Sequence, residues 1–378
     1  MLQRVLLRHT CRRLLQARHA RALSSSAAGD AFLLTGACGQ VGAELLPYLR
    51  SIYGTDKVIA SDVRPPTEEM LADGPFVELD VTSAVHLERV ISERGVGTIV
   101  HLAALLSATG EKNPQLALHI NNAGVTNVLE AARAHGLRVF SPSTIAVFGP
   151  STPKEHTPDA TVMRPTTMYG VTKVHLELLG EYYHSRYGVD FRSLRYPGVI
   201  SSAAMPGGGT TDYAVEIFHE ALACNQYTCF LSEDTPLPMM YMPDLLRATV
   251  GLIQADAASL TQRTYNVGAL SFTPRQLAAS IEKRVPNFTI KYDPDFRQAI
   301  AETWPQQLDD SAARRDWGWA HQYDLDTMTA DMLLNLEKTV SAARLEEIGE
   351  NVRLAAERRQ AMMEFLAEET DGHSPVKL

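Results

Sequence analysis

Tyr169 and Lys173, in the run YGVTK, place a phenol and an ammonium one helical turn apart. A phenol titrates near about 10 and is a poor base at neutral pH. A cation on the same helix face favours the phenolate. Such a pair can take the proton of an alcohol while hydride leaves the same carbon. The chain repeats the spacing at Tyr53 and Lys57, in YGTDK. Spacing alone does not separate the two copies, so the elements that carry them must.

Those elements alternate. Strands are expected at 31–36, 57–62, 76–80, 97–104, 138–144 and 190–198, with helices at 40–54, 84–95, 113–136 and 169–188 between them. Strands separated by helices of ten or more residues form a parallel sheet covered on both faces, and ligands of such sheets bind at the carboxyl ends of the strands. YGTDK runs from the first helix into the second strand, at the amino-terminal edge. YGVTK opens the helix after the fifth strand, at the carboxyl edge. The predicted fold is α/β, a Rossmann-like doubly wound parallel sheet over 29–198. A smaller C-terminal substrate-binding lobe follows over 199–340, then a charged amphipathic helix and tail over 341–378.

TGACGQVG (35–42) lies between the first strand and the first helix. Gly36, Gly39 and Gly42 allow a tight turn and close backbone approach to a pyrophosphate. Gln40 and Val41 open the helix whose amides face it. Asp62, at the end of the second strand, is placed to accept from the adenosine ribose hydroxyls and to repel a 2′-phosphate, which favours NAD over NADP. Arg64, two residues on, carries the opposite charge. Asp80 and Val81, after the third strand, are candidates for the adenine rim.

Composition excludes several classes. Hydrophobic residues make up 45% and charged residues 21% of the 378. No apolar run approaches the roughly 20 residues that span a bilayer. The first 28 residues carry arginines at 4, 8, 12, 13, 18 and 21, no acid, and a serine/alanine tract. That is the composition of a mitochondrial presequence, so a matrix location is expected. Its removal takes six positive charges from a net −9, leaving −15. So acidic a chain is a poor nucleic-acid binder. Cys11, Cys38, Cys224 and Cys229 form no CxxC pair and the histidines no HExxH, so no metal site is expected.

In order along the chain stand TGxxGxxG (35–42), HLAA (101–104), NNAGVTNVLEAA (121–132), FSPSTIAVFG (140–149), Tyr169-x-x-x-Lys173 and RYPG (195–198). With these motifs the chain resembles the extended short-chain dehydrogenase/reductase family. The resemblance implies that Lys173 also binds the nicotinamide ribose, that Asn121 serves a proton-relay water, and that Leu102, Ala103, Ala104 and Pro197 line the NAD site. A hydroxyl from the fifth strand should hold the substrate oxygen, as an oxyanion donor does. Counting from Phe140 puts it at Ser143 and counting back from VFG puts it at Thr144, and both stand.

Residues 207–244 contain no Lys or Arg, which disfavours a sugar-nucleotide diphosphate. LLSATGEKNP (105–114), GGGTTDYAVE (207–216), MMYMPDLLRA (239–248) and ETWPQQLDDSAARRDWGW (302–319) are similar to the branch of the family that oxidises the 3-hydroxyl of L-threonine with NAD⁺ to 2-amino-3-oxobutyrate. By that resemblance Ser107, Thr210, Thr211 and Trp304 are candidate substrate contacts. A homodimer is expected, as is coupling to 2-amino-3-ketobutyrate CoA ligase. Pro243 stands where the branch has an aspartate, so no role transfers to it. An NAD-dependent sugar-nucleotide epimerase and a non-catalytic NAD-sensing protein are the other readings.

Overall fold

AFLLT, strand β1 (Ala31–Thr35), is buried along its length, as a strand covered on both faces must be. Its side chains alternate between two cores. Phe32 and Leu34 join Val58, Ala60, Phe140 and Leu194 on one face, and Leu33 joins Ile59, Ile99, Val139 and Phe191 on the other. Each fully buried leucine contributes about 1.5–3 kcal/mol. The computed structural model describes residues 29–203, 209–339 and Arg353. The expected presequence, and the C-terminal helix and tail apart from Arg353, lie outside the described residues.

The further elements of the sheet are β2 (Val58–Asp62), β3 (Phe76–Glu78), β4 (Val96–His101), β5 (Arg138–Phe140), β6 (Ser143–Thr144), β7 (Asp190–Tyr196) and β8 (Thr264–Asn266). Their order is β8-β7-β5-β4-β1-β2-β3, with β6 also on β7, and every pairing is parallel. The chain runs outward from β1 to β2 and β3, then crosses to β4 on its other side. That reversal opens the crevice at the strands' carboxyl ends.

Helix α1 (Gln40–Tyr53) packs Leu45 and Leu49 on the first core, with Leu245 and Leu252 from Met242–Gln254. Helices α2 (Ala84–Arg94), α4 (Pro114–His135) and α5 (Met168–Tyr187) cover the second, with Ile91, Val128 and Leu176 buried in it. A short helix, α3 (Ser107–Lys112), precedes α4. Asn113 caps α4 through Leu116 N and Thr167 caps α5 through Gly170 N, contacts worth about 0.5–2 kcal/mol each.

Two departures from the expected boundaries bear on the site. The strand expected over 138–144 divides into β5 and β6, interrupted at Ser141–Pro142, where the proline has no N–H for a ladder. The domain division also differs. One compact unit lies within Met1–Val199, Leu237–Ala269 and Glu302–Gln322, the other within Ile200–Pro236, Leu270–Ala301 and Tyr323–Leu378. The first unit does not end at Gly198: the chain returns to it twice, adding β8 to the sheet and Met242–Gln254 to its cover. A three-residue strand carries no periodic signal, which is why sequence reading ends the unit early. In the second unit the helix Tyr213–Cys224 packs on the strand Gln226–Cys229, which pairs in parallel with Thr289–Tyr292, and on the helices Pro274–Glu282 and Leu325–Thr339.

Candidate active site

The turn after β1 is built by backbone contact. Gly36 has φ +74°, and a Cβ on it would lie 2.7 Å from Ala103 N. A Cβ on Gly42 would lie 2.2 Å from the Gly36 carbonyl. Only glycine fits either place. Ala37 N donates to Ser61 O at 3.0 Å, tying the turn to the end of β2. Gln40 and Val41 are the first residues of α1, so their amides lie in the turn of the helix that has no internal acceptor. Beneath, Thr35 Oγ1 and His101 Nδ1 lie 2.9 Å apart and join the ends of β1 and β4. Burial, and then the charge of Lys173, push His101 down to about 3, so it is neutral. Leu102, Ala103 and Ala104 follow, half-buried.

Asp62 ends β2 and is buried. Burial works to raise its pKa, but hydrogen bonds from Arg64 and from the Cys38 amide outweigh it and hold the carboxyl below its ordinary value. Asp80 Oδ1 accepts from the Thr82 amide at 2.8 Å and its hydroxyl at 2.7 Å, and Val81 beside it is buried. A turn lined by glycines, with helix amides on one side and an ionised carboxylate on the other, fits the pyrophosphate and ribose of a dinucleotide.

The second half of the site rises from β6 and α5. Thr144 stands beside the Tyr169 phenol and acts to lower its pKa, and its hydroxyl accepts from Ala146 N at 3.2 Å. Burial pushes Tyr169 up to about 12, and the neighbouring Thr144 hydroxyl draws it partly back. Lys173 lies 5.7 Å from the Tyr169 ring centroid and donates to the Pro142 carbonyl at 2.7 Å. Burial pulls Lys173 down to about 8, against the opposing charge of Glu177. The phenol is thus raised where the sequence led us to expect it lowered, because taking a phenolate out of water outweighs a cation directed at a carbonyl.

Ser143 differs from its neighbour. Its hydroxyl donates to Glu177 Oε1 at 2.5 Å, and Glu177 accepts from Arg195 Nε at 2.9 Å and Nη2 at 2.8 Å, all buried. Asn121 Oδ1 accepts from Leu105 N at 2.8 Å, and its amide donates to Leu105 O at 3.1 Å and Thr172 Oγ1 at 3.0 Å. It therefore pins the segment before Ser107, the first residue of α3, to the helix of Tyr169. Glu111 of α3 accepts from Met168 N at 2.7 Å, closing that segment onto the start of α5.

The structure thus gathers the glycine turn, Asp62, Asn121, Ser143, Thr144, Tyr169 and Lys173 at one edge of one sheet, with Pro197 buried just beyond β7. Trp304 is buried in the same unit, and Thr210 and Thr211 precede the helix Tyr213–Cys224 in the other. Sequence reasoning missed Glu177, Arg195, Glu111 and the Pro142 carbonyl. For Glu177 the signal was its place one turn beyond Lys173, on the same face. Tyr53 and Lys57 serve the fold instead: Tyr53 stacks on Phe32 with centroids 4.2 Å apart, and Lys57 pairs with Asp30.

A dinucleotide cradle beside a Thr/Tyr/Lys group defines a nicotinamide-linked oxidoreductase of the short-chain type. The family model of the NAD dependent epimerase/dehydratase family matches residues 32–268, and the chain belongs to that family. The mitochondrial L-threonine 3-dehydrogenase of Bos taurus is 51% identical over 302 residues, 80% of this chain and 81% of the relative. The L-threonine dehydrogenase of Phytophthora infestans has a TM-score of 0.80 at 60% identity, over 82% of this chain and 100% of its own. The holo form of the GalE-like L-threonine dehydrogenase from Cupriavidus necator gives 0.79 at 52%, over 81% and 99%.

Proposed function

We propose that this protein is an NAD⁺-dependent L-threonine 3-dehydrogenase. L-Threonine and NAD⁺ become 2-amino-3-oxobutyrate, NADH and a proton. The observation that carries the reading is the meeting of Thr144, Tyr169 and Lys173 at the carboxyl edge beside the glycine turn, in a chain whose named relatives act on L-threonine.

NAD⁺, when bound, supplies the hydride acceptor. Gly36, Gly39, Gln40, Val41 and Gly42 hold its pyrophosphate, Asp62 its adenosine ribose, Asp80 and Val81 the adenine rim. Leu102, Ala103, Ala104 and Pro197 line the remainder, and Lys173 takes the nicotinamide ribose. Thr144 holds the substrate oxygen, and Tyr169 accepts the 3-hydroxyl proton as its phenolate, a form that Lys173 and the positive nicotinamide ring of bound NAD⁺ would have to favour against burial. Ser143 is committed to Glu177 and supports the strand, and Asn121 holds the Leu105–Ser107 segment. Ser107, Thr210, Thr211 and Trp304 contact the amino acid. The product is a β-keto acid, which suits hand-over to a CoA-dependent ligase, 2-amino-3-ketobutyrate CoA ligase. The arginine-rich leader, like the mitochondrial relatives, supports a matrix location.

Leu116 on α4 and Leu178, Tyr182 and Tyr187 on α5 are exposed apolar side chains on two helices packed side by side. Such exposed apolar side chains support a homodimer. Light scattering on the purified chain gives twice the monomer mass if so.

The activity test is NADH absorbance with L-threonine, L-serine and UDP-glucose, with NAD⁺ or NADP⁺. Wild type produces NADH from L-threonine and NAD⁺. Tyr169→Phe loses about 10²–10⁴-fold in rate while still binding NAD⁺. Epimerised UDP-glucose without net NADH would instead make the chain a sugar-nucleotide enzyme.

A further inference from the structure

Tyr169, Lys173, Glu177 and Glu181 follow one another at four-residue intervals along α5, so they share one face of the helix. The reaction proposed above uses the first two. Glu177, the third, is 1% exposed and reaches β6 and β7 at once. Its Oε1 accepts from Ser143 Oγ at 2.5 Å and Arg195 Nε at 2.9 Å, and its Oε2 accepts from Arg195 Nη2 at 2.8 Å. Arg195 is anchored in turn, donating through Nη1 to the Asp159 carbonyl at 2.8 Å and to Asn266 Oδ1 at 3.1 Å. A carboxylate held from two strands is therefore fixed one turn from Lys173.

Lys173 needs that charge. An ammonium taken out of water tends to shed its proton unless an opposite charge compensates. Lys173 is buried, and its hydrogen bond goes to the neutral Pro142 carbonyl. The other groups near it do not help. His101, at the end of β4, is neutral, and Tyr169 is a phenol pushed up by burial. Glu181, a turn beyond Glu177, is itself pushed up by burial and then by the Glu177 charge. Arg195 of β7 has the same sign as Lys173 and is engaged by Glu177. Glu177 is the charge that opposes burial at Lys173.

We infer that Glu177 is a positioning residue: its buried carboxylate keeps the Lys173 ammonium charged inside the fold, and through Ser143 it holds the strand of Thr144 against the helix of Tyr169. The consequence for rate rests on reading Tyr169 and Lys173 as the catalytic pair.

The test is an NMR titration of the full chain carrying lysine isotope-labelled at Cε, with Lys173→Met identifying the Lys173 signal. Glu177→Gln keeps the shape and removes the charge. It lowers the Lys173 midpoint by about one pH unit, and the alkaline limb of kcat/KM for L-threonine falls with it. Glu177→Asp restores much of the wild-type midpoint. Arg195→Lys keeps both charges of the pair and loses the fork, so it lowers stability and leaves the midpoint near its wild-type value. If Glu177→Gln melts early, Glu177→Gln/Arg195→Met removes the pair together and shows the same fall. A midpoint unmoved in both Glu177→Gln forms, or moved equally by Arg195→Lys, overturns the proposal. Wild type that makes no NADH from L-threonine would sink the catalytic reading instead, and the lysine titration would still decide the role of Glu177.

Discussion

The Ser143 hydroxyl donates to the buried Glu177 carboxylate, whereas adjacent Thr144 stands beside the Tyr169 phenol. Two neighbouring hydroxyls on one short strand therefore face different partners. Thr144→Val should cost about 10²–10³ in kcat, the scale of a lost oxyanion-type donor. Ser143→Ala should leave kcat within about fivefold but lower stability by about 1–3 kcal/mol, the scale for a buried acceptor left short of a donor. Steady-state kinetics and urea unfolding of both variants check this, and equal kcat losses would refute it.

Glu177 and Arg195 are both buried, and their ion pair ties α5 to β7. Removing one partner leaves an uncompensated charge inside the fold. Arg195→Met should destabilise by about 3–5 kcal/mol. Replacing both residues by apolar side chains of similar size should recover much of that loss. Denaturant midpoints of the single and double variants decide it.

Lys173 has a pH signature. Its folded value is about 8 against a usual 10.5, so between these values the unfolded chain binds more protons than the folded one. The contribution of this group to stability therefore rises with pH through that window and is least favourable below it. Compared with Lys173→Met, wild type should gain up to about 3 kcal/mol between pH 8 and pH 10.5. Unfolding free energies at several pH values measure the difference, and a flat difference would refute the buried ammonium.

Gly42→Ala places a Cβ 2.2 Å from the Gly36 carbonyl, backbone against backbone. The turn must open, at about 1–3 kcal/mol. NAD⁺ affinity should fall by tenfold or more, read by quenching of tryptophan fluorescence. The KM for L-threonine should move much less than that for NAD⁺.

Lys57→Met is the control for the second Tyr-x-x-x-Lys. Lys57 forms an exposed ion pair with Asp30 at the far edge of the sheet. Its loss should cost about 1 kcal/mol at most and change kcat less than twofold.

Much of the site was legible because it lies in short contiguous runs. The glycine turn, Asp62 and Tyr169-x-x-x-Lys173 each sit at a strand end whose position follows from hydrophobic patterning. What stayed hidden depends on long-range contact. Arg195 meets Glu177 across 18 residues and Asn266 across 71. β8 joins the sheet from beyond residue 260 with only three residues.

The sequence by itself determined the parallel sheet, the carboxyl-edge address of Tyr169 and Lys173, and the acidic residue at the end of β2. Periodicity and turn chemistry are local, so a linear reading captures them. Only the tertiary structure set Ser143 on Glu177 and Thr144 beside Tyr169 and showed Arg64 closed over Asp62. Adjacent strand residues point to opposite faces, and what waits on each face belongs to distant parts of the chain.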